Sequence, residues 1–337
     1  MSGARVVRLD RRPVGVPEPS TWRIEDIDIP ALGERQFLVQ TELVSLDPAM
    51  RGWLDDRPSY LPPVAVGDVM RANAVGVVVE SRHPRFPVGT RVQGLFGVQT
   101  HVVSDGRGVT VVDESLGTPA MYLGVLGNTG LTAYFGLFHY GRPRAGDTVV
   151  VSAAAGAVGS IVGQLARIAG CRTVGLAGGP EKCEMLTGDL GYDHAIDYRS
   201  ADLRTAFAEH CPRGIDVYFD NVGGPILNAA LANLAHGGRV VICGAISQYN
   251  ATEAMSGPSN YWRLLMSRGT MTGFLVFDHA AEYPVARQRL ADWVADGRIV
   301  APDTVVPGRI DDFHDTFLRL FSGDNVGKLI LDISAGS

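Results

Sequence analysis

The pattern of apolar and polar positions changes texture twice along the chain. Up to about residue 125, apolar residues come in short runs such as FLVQTELVSL (37–46), GVVVES (76–81) and RVQGLF (91–96). Pro- and Gly-rich turns like HPRFPVGT (83–90) separate these runs. Short runs between turn signals predict β-strands, and their spacing predicts a barrel or sandwich. Near Gly127 the pattern becomes helical. LTAYFGLFHYG (131–141) carries apolar residues three and four apart and predicts a helix ended by Gly141.

A regular alternation follows. Strands are predicted at TVVVSA (148–153), RTVGLA (172–177), HAIDY (194–198), IDVYFD (215–220) and GRVVICGAI (238–246). Between them fall helices at AVGSIVGQLARIAG (157–170), PEKCEMLTGDLG (180–191), DLRTAFAEHC (202–211) and NAALANLA (228–235). Near-continuous apolar strands alternating with helices predict an α/β, doubly wound parallel sheet covered on both faces. One more helix, within 278–300, sets Leu290, Trp293 and Val294 on a shared face. The β texture then returns at 299–306 and 326–333, around a helix at DDFHDTFLRLF (311–321). The expected organisation is a β domain over 1–126, a dinucleotide-type domain over 127–298, and a return to the first domain over 299–337.

Composition narrows the function classes. The 337 residues hold 46% hydrophobic and 20% charged positions, with a net charge of −6. That balance argues against a nucleic-acid partner, and RLDRR (8–12) reads as solvated surface. No apolar run reaches the length of a membrane span, and the start MSGARVVRLD lacks an apolar leader. Cys171, Cys183, Cys211 and Cys243 form no C-x-x-C pair, so the expected compartment is a reducing cytosol.

The candidate chemistry centres on VSAAAGAVGS (151–160). It approaches the fingerprint G-x-G-x-x-G, with Ala154 at the first glycine position. In a strand-turn-helix, Gly156 lets backbone approach a phosphate and Gly159 lets the helix pack close to the sheet. Ala154 is tolerable if its φ stays negative. An NAD site would place an acid at the end of the second strand, but Gly175-Leu176-Ala177-Gly178-Gly179 has none. Lys182 follows, so NADP is expected over NAD. No metal is expected. Residues 1–126 contain only His83 and His101 as soft ligands, and His83, before Pro84, reads as a surface turn residue.

Several segments together resemble one family. They are AAAGAVGSIVGQLARIAGC (153–171), AGGPEKC (177–183), FDNVGG (219–224), ICGAISQYN (242–250), LDPAMRG (46–52), GLTAYFGL (130–137) and GDNVGKLIL (323–331). They are similar to the zinc-independent medium-chain dehydrogenase/reductases, in the leukotriene B4 12-hydroxydehydrogenase, prostaglandin reductase and curcumin reductase group. The resemblance implies a Rossmann domain inserted into a GroES-like β-barrel domain, in a homodimer. It implies NADPH-dependent reduction of the C=C bond of α,β-unsaturated ketones and aldehydes.

By the same resemblance, Gly156, Ala157, Val158 and Gly159 lie on the pyrophosphate. Gly178, Lys182 and Tyr198 surround the adenosine 2′-phosphate. Asn221 and the run Cys243, Gly244, Ala245, Ile246, Ser247 and Tyr249 line the dinucleotide. Phe274, Leu275 and Val276 approach the nicotinamide, Asn128 and Thr132 join the cofactor set, and Asn325 reaches it from the chain end. Tyr249 is the expected hydroxyl near the developing enolate oxygen, and Tyr60 the candidate substrate-side hydroxyl. Two positions depart from the family: Ala49 stands where relatives carry Tyr in D-P-Y-M-R, and Asn128-Thr129 precede Gly130. Asn128 and Thr129 either contact the cofactor or cap the helix, the cap being favoured. A zinc-free quinone reductase, oxidation of a secondary alcohol and a low-turnover NADPH-binding protein are the competing readings.

Overall fold

The computed structural model describes residues 3–253 and 256–336. The chain divides into two compact units, one of residues 1–123 and 303–337, the other of residues 124–302.

The first unit is β-rich. A seven-stranded sheet runs in the order Asp303–Pro307, Lys328–Asp332, Phe37–Leu46, Ala74–Ser81, Arg91–Gly94 and Thr110–Val111, with His101–Ser104 also pairing with Phe37–Leu46. Only the two chain-end strands pair parallel; the other ladders are antiparallel. Gly76 must be glycine for its strand to approach Phe37–Leu46, because a Cβ there would lie 2.2 Å from the Gln40 carbonyl oxygen. Both chain ends contribute to one core, in which Trp22 packs edge-on to Phe313 and Phe317. The Lys328 ammonium is buried and donates to the Leu46 carbonyl and to Asp47 Oδ1, each at 2.7 Å.

One expectation fails in this unit and one is sharpened. RLDRR lies at the surface, but its arginines also bind the fold: Ala4–Leu9 pairs with Trp22–Ile27, Arg8 binds Glu25 and the Gly67 carbonyl, and Arg12 donates to the Leu54 carbonyl at 2.7 Å. Their guanidinium groups satisfy a strand carboxylate and two carbonyls in turns. His83 is only 8% exposed, not a surface residue. Its ring packs against Phe37 and Phe86, and its Nδ1 accepts from the Arg85 N–H at 3.1 Å.

The second unit is an α/β layer structure. Its six strands all pair parallel in the order His194–Asp197, Arg172–Ala177, Thr148–Val151, Ile215–Asp220, Leu234–Ile242 and Thr270–Gly273. Numbered within the unit, that order is 3-2-1-4-5-6, the doubly wound arrangement that reverses beside its first strand. Val149, Val150 and Val151 are wholly buried, as a strand covered on both faces requires. Helices Ala157–Ile168, Pro180–Gly188, Leu203–His210 and Gly224–Ala232 connect successive strands.

The helix expected over 131–141 differs in detail. An α-helix spans Asn128–Phe135, and a π-helical turn completes it over Gly136–Gly141. On the later helix, Tyr283–Ala295, the buried residues are Ala286, Leu290 and Ala291. Trp293 and Val294 are half-buried, and the bulky Trp293 ring leans on Tyr134 and Phe138 instead.

Candidate functional site

The first three strands and the three after them all end on one edge of the parallel sheet. Directly after those ends come 152–159, 178–182, 198–199, 221–224, 243–249 and 274–276. In an open parallel sheet, ligands bind outside the strands' carboxyl ends, where the strand order reverses.

The glycine loop is built almost entirely from backbone. Strand Thr148–Val151 stops at the buried Ser152, and Gly156 is the N-cap of helix Ala157–Ile168, without a side-chain cap. The first-turn amides of that helix are therefore available to an anion. The left-handed residue of the turn is Ala153 (φ +47°), not Ala154, whose φ is not positive. Ala154 is fully buried and donates its N–H to the Leu176 carbonyl at 2.9 Å, so its position needs no glycine. Gly159 does need to be glycine. A Cβ there would lie 2.3 Å from the Ala153 carbonyl oxygen and 2.7 Å from Ala154 Cα, whereas one on Gly156 would meet only that oxygen, at 3.1 Å. The Tyr192 hydroxyl donates to the Gly159 carbonyl at 2.6 Å, and burial pushes that hydroxyl's pKa far up. Sequence reading missed Tyr192, which stands far from the loop in the chain.

A second group centres on Asp220, 1% exposed. Its Oδ1 accepts from Ser152 Oγ (3.1 Å), Tyr218 Oη (3.2 Å), Val222 N (3.1 Å) and Gly223 N (3.0 Å). Burial raises its pKa, against the pull of these donors. Asn221 donates from its backbone to Ser152 Oγ at 2.8 Å and from Nδ2 to the Ser152 carbonyl at 2.7 Å. The 243–249 loop hangs from the same residues. Cys243 and Gly244 donate to the Asp220 carbonyl, Ile246 to that of Asn221, and Ser247 Oγ to that of Val222. The Cys243 thiol is pushed up to about 12 by burial and by Asp220, which favours the neutral thiol near neutral pH. Tyr249 turns back on its own loop, where its Oη accepts from the Ala245 N–H at 3.3 Å. Ser152 and Asp220 position this group; the only sequence signal for Asp220 was its place inside FDNVGG.

The third group lies at the end of Arg172–Ala177. A Cβ on Gly178 would lie 2.7 Å from Arg199 Nε, 3.1 Å from its Cζ and 3.1 Å from Tyr198 Oη. Lys182 stands in the first turn of the helix Pro180–Gly188. Asp197 organises the corner, its Oδ1 accepting from the N–H groups of Gly179 (2.9 Å) and Arg199 (3.0 Å). Those backbone donors hold its carboxyl below the usual range. Arg199 is a cation that sequence reading passed over, although it follows Tyr198 directly.

The remaining candidates are more scattered. Asn128 is the first residue of its helix, behind the N-cap Gly127, so it does not cap it; its carbonyl accepts from Thr132 Oγ1 at 2.7 Å. The cap falls to Gly127 because its extended backbone starts the helix two residues before the turn judged from Gly130. Phe274 stacks on Tyr140 (centroids 5.0 Å apart), Leu275 is half-buried and Val276 is buried. Tyr60 and Asn325 belong to the first unit. Tyr60 is 46% exposed and its hydroxyl accepts from Trp53 Nε1 at 3.3 Å; Asn325 Nδ2 donates to the Gly327 carbonyl at 3.3 Å.

Comparison with known proteins follows this division. Residues 5–112 match the family described as the N-terminal domain of oxidoreductase, and residues 157–292 the family described as zinc-binding dehydrogenase. The NADPH-dependent curcumin reductase of Escherichia coli is 39% identical over 97% of this chain and 96% of its own length. The 2-alkenal reductase (NADP(+)-dependent) of Nicotiana tabacum is 36% identical over 95% of this chain and 94% of its own. The crystal structure of CurA from Vibrio vulnificus in complex with NADPH superposes with a TM-score of 0.93 at 39% identity, covering 98% of this chain and 99% of that one. The chain belongs to the medium-chain dehydrogenase/reductase family, in its curcumin, alkenal and prostaglandin reductase group.

Proposed function

We propose that this chain is an NADPH-dependent reductase of the conjugated C=C bond in α,β-unsaturated ketones and aldehydes. The observation that carries the reading is the corner at Gly178. The second strand runs into Gly178-Gly179 with no acid at its end, Tyr198 and Arg199 close over Gly178, and Lys182 stands in the helix turn that follows. Relatives named for NADPH-dependent curcumin reduction and NADP-dependent 2-alkenal reduction support it across nearly the full chain. Gly159, where any side chain would strike the loop backbone, supports a close-fitting phosphate cradle.

In this reading residues 127–298 bind the cofactor, and 1–126 with 299–337 form the substrate domain. NADPH, when bound, supplies the hydride that reaches the substrate's β carbon. The amides of Ala157, Val158 and Gly159 hold the pyrophosphate, and Gly156 lets the backbone come close. Gly178, Lys182, Tyr198 and Arg199 hold the 2′-phosphate. Asn221, the 243–249 loop, Asn128 and Thr132 line the dinucleotide, Phe274, Leu275 and Val276 the nicotinamide end, and Asn325 adds a contact. Tyr249, whose oxygen already accepts the Ala245 N–H, is strengthened as a donor toward the oxygen on which enolate charge develops. Tyr60 is the substrate-side hydroxyl, and a tyrosine hydroxyl or water returns the proton to the α carbon. The chemistry proposed uses no metal: residues 1–126 contain no cysteine and only two histidines, of which His83 is packed among phenylalanines.

The protein is proposed to act as a homodimer in a reducing cytosol. Supporting this, all four cysteines are free thiols. Tyr261, Trp262, Leu265 and Met266 are exposed ahead of the edge strand Thr270–Gly273, an apolar surface suited to a second copy. Among the described residues no helix is long and apolar enough to cross a membrane. The test is NADPH consumption with a panel of enones, 2-alkenals and quinones. Reduction of enones and alkenals is expected. Turnover of quinones alone makes it a quinone reductase, and tight NADPH binding without turnover a binding protein.

A further inference from the structure

We propose that His139, His279 and Glu282 form a binding site for a divalent cation such as Zn(II), apart from the strand-end residues above. Their ligand atoms all lie within 4.8 Å of one another. His279 Nδ1 is 3.1 Å from Glu282 Oε1, and His139 Nε2 is 3.7 Å from Glu282 Oε2. Zinc bonds of about 2.0–2.2 Å to nitrogen and oxygen place tetrahedral ligands about 3.3–3.5 Å apart. The two contacts fall on different oxygens of Glu282, so one ion draws on both when the carboxylate binds bidentate, and the exposed His139 ring turns to complete the set. Two imidazoles with one carboxylate suit zinc, leaving its fourth position to water.

The ring of His279 is held ready. It stacks flat on Phe135 (centroids 4.5 Å apart, planes at 7°), and its Nε2 lies 3.1 Å from Tyr140 Oη. With the proton on Nε2 donated to Tyr140, the Nδ1 lone pair faces the cluster, the outer hydrogen bond that metal-binding histidines commonly make. The backbone brings these residues together from two segments. His139 and Tyr140 stand on the π-helical turn Gly136–Gly141, and His279 sits at a kink (φ −104°, ψ 16°) in Val276–Glu282. A bound cation would cross-link those segments. No spacing in the sequence announces the site, because its two halves are 140 residues apart (279 − 139).

The test uses untagged, chelator-treated full-length chain, titrated with Zn(II) by calorimetry and with Co(II) by visible absorption, without NADPH. One ion per chain is expected, with the intense visible bands of low-coordinate Co(II). Glu282→Gln and His139→Ala should each weaken binding at least tenfold, while His236→Ala, an exposed histidine elsewhere, leaves it unchanged. Circular dichroism and melting confirm that each variant is folded. Less than one ion per wild-type chain, or equal affinity in the folded His139→Ala/His279→Ala double variant, overturns the proposal. Neither outcome depends on the reductase assignment.

Discussion

The turn after Thr148–Val151 and the turn after Arg172–Ala177 leave adjacent strands of one sheet edge, yet they are built from different materials. The first is a backbone device: a left-handed Ala153, a bare Gly156 at the N-cap and a Gly159 with no room for a side chain. The second is a side-chain device, in which Tyr198 and Arg199 crowd Gly178, Lys182 stands in the helix turn that follows, and Asp197 ties the backbone beneath them. A backbone cradle has no titratable group and suits the pyrophosphate shared by NADPH and NADH. In the proposed assignment, a charged corner recognises only the phosphate by which they differ, and affinity and selectivity fall on neighbouring turns.

The largest expected effect comes from filling the cradle. In Gly159→Ala the new Cβ meets the Ala153 carbonyl and the Ala154 Cα, both backbone, so the loop itself must move. Overpacking of this kind costs about 1–3 kcal/mol. NADPH and NADH should therefore lose affinity alike, by up to about a hundredfold, in fluorescence titrations. Gly156→Ala, with one contact at 3.1 Å, should lose far less. Wild-type affinity for both cofactors in Gly159→Ala would break the backbone side of the comparison.

Next come the charged residues. Lys182→Ala and Arg199→Ala each remove a charge-assisted contact worth about 1.5–3 kcal/mol, discounted here because Arg199 is exposed. About a tenfold rise in the NADPH dissociation constant is expected for each, with NADH unchanged within about twofold. If Arg199→Ala leaves the NADPH-to-NADH ratio intact, Arg199 does not belong to the corner. Tyr249→Phe, which takes away the proposed donor and keeps the ring, should lower kcat by about a hundredfold with cofactor affinity unchanged, measured by steady-state kinetics.

The same contrast explains what the sequence disclosed. The parallel sheet was legible because strands such as TVVVSA and RTVGLA read as apolar runs alternating with helices, and two of those helices were bounded by Gly170 and Pro180. The cradle was legible because glycine spacing is local. The charged corner was only half legible: the missing acid and Lys182 lie within a few residues of Gly178, but Arg199 reaches it from the end of a different strand. Tyr192, Ser152 and Asp220 act through hydrogen bonds to partners 33 to 69 residues away, which no local pattern records. The first unit was less legible for a similar reason. Strand Ala4–Leu9 carries Arg8, which looked solvent-bound, and its partners lie on Trp22–Ile27 and in a loop at Gly67.

A smaller effect separates Asp197 from the phosphate it supports. Its carboxyl is depressed by the Gly179 and Arg199 N–H groups, so what it contributes is present above the ordinary aspartate pKa and is lost only as pH falls through a still lower value. Between pH 8 and pH 5 it stays ionised. Any decline in NADPH preference across that window therefore follows the 2′-phosphate, whose second pKa lies at about 6. Asp197→Asn should weaken NADPH by only a few-fold and leave the midpoint of that decline where it was. A midpoint that moves with the substitution would assign the titration to the protein.

The smallest effect is the response to salt, and it bears on both turns at once. Exposed charges are screened over about 10 Å at 0.1 M ionic strength, whereas amides packed against a phosphate have no net charge to screen. Raising potassium chloride from about 0.05 to 0.3 M should weaken NADPH binding by a few-fold more than NADH binding. The excess belongs to Lys182 and Arg199, so it should vanish in the Lys182→Ala/Arg199→Ala double variant. There the two cofactors should follow parallel salt curves set by the backbone cradle. Persistence of the excess in the double variant would mean that the 2′-phosphate is held by charges elsewhere, and the division of labour between the two turns would fail.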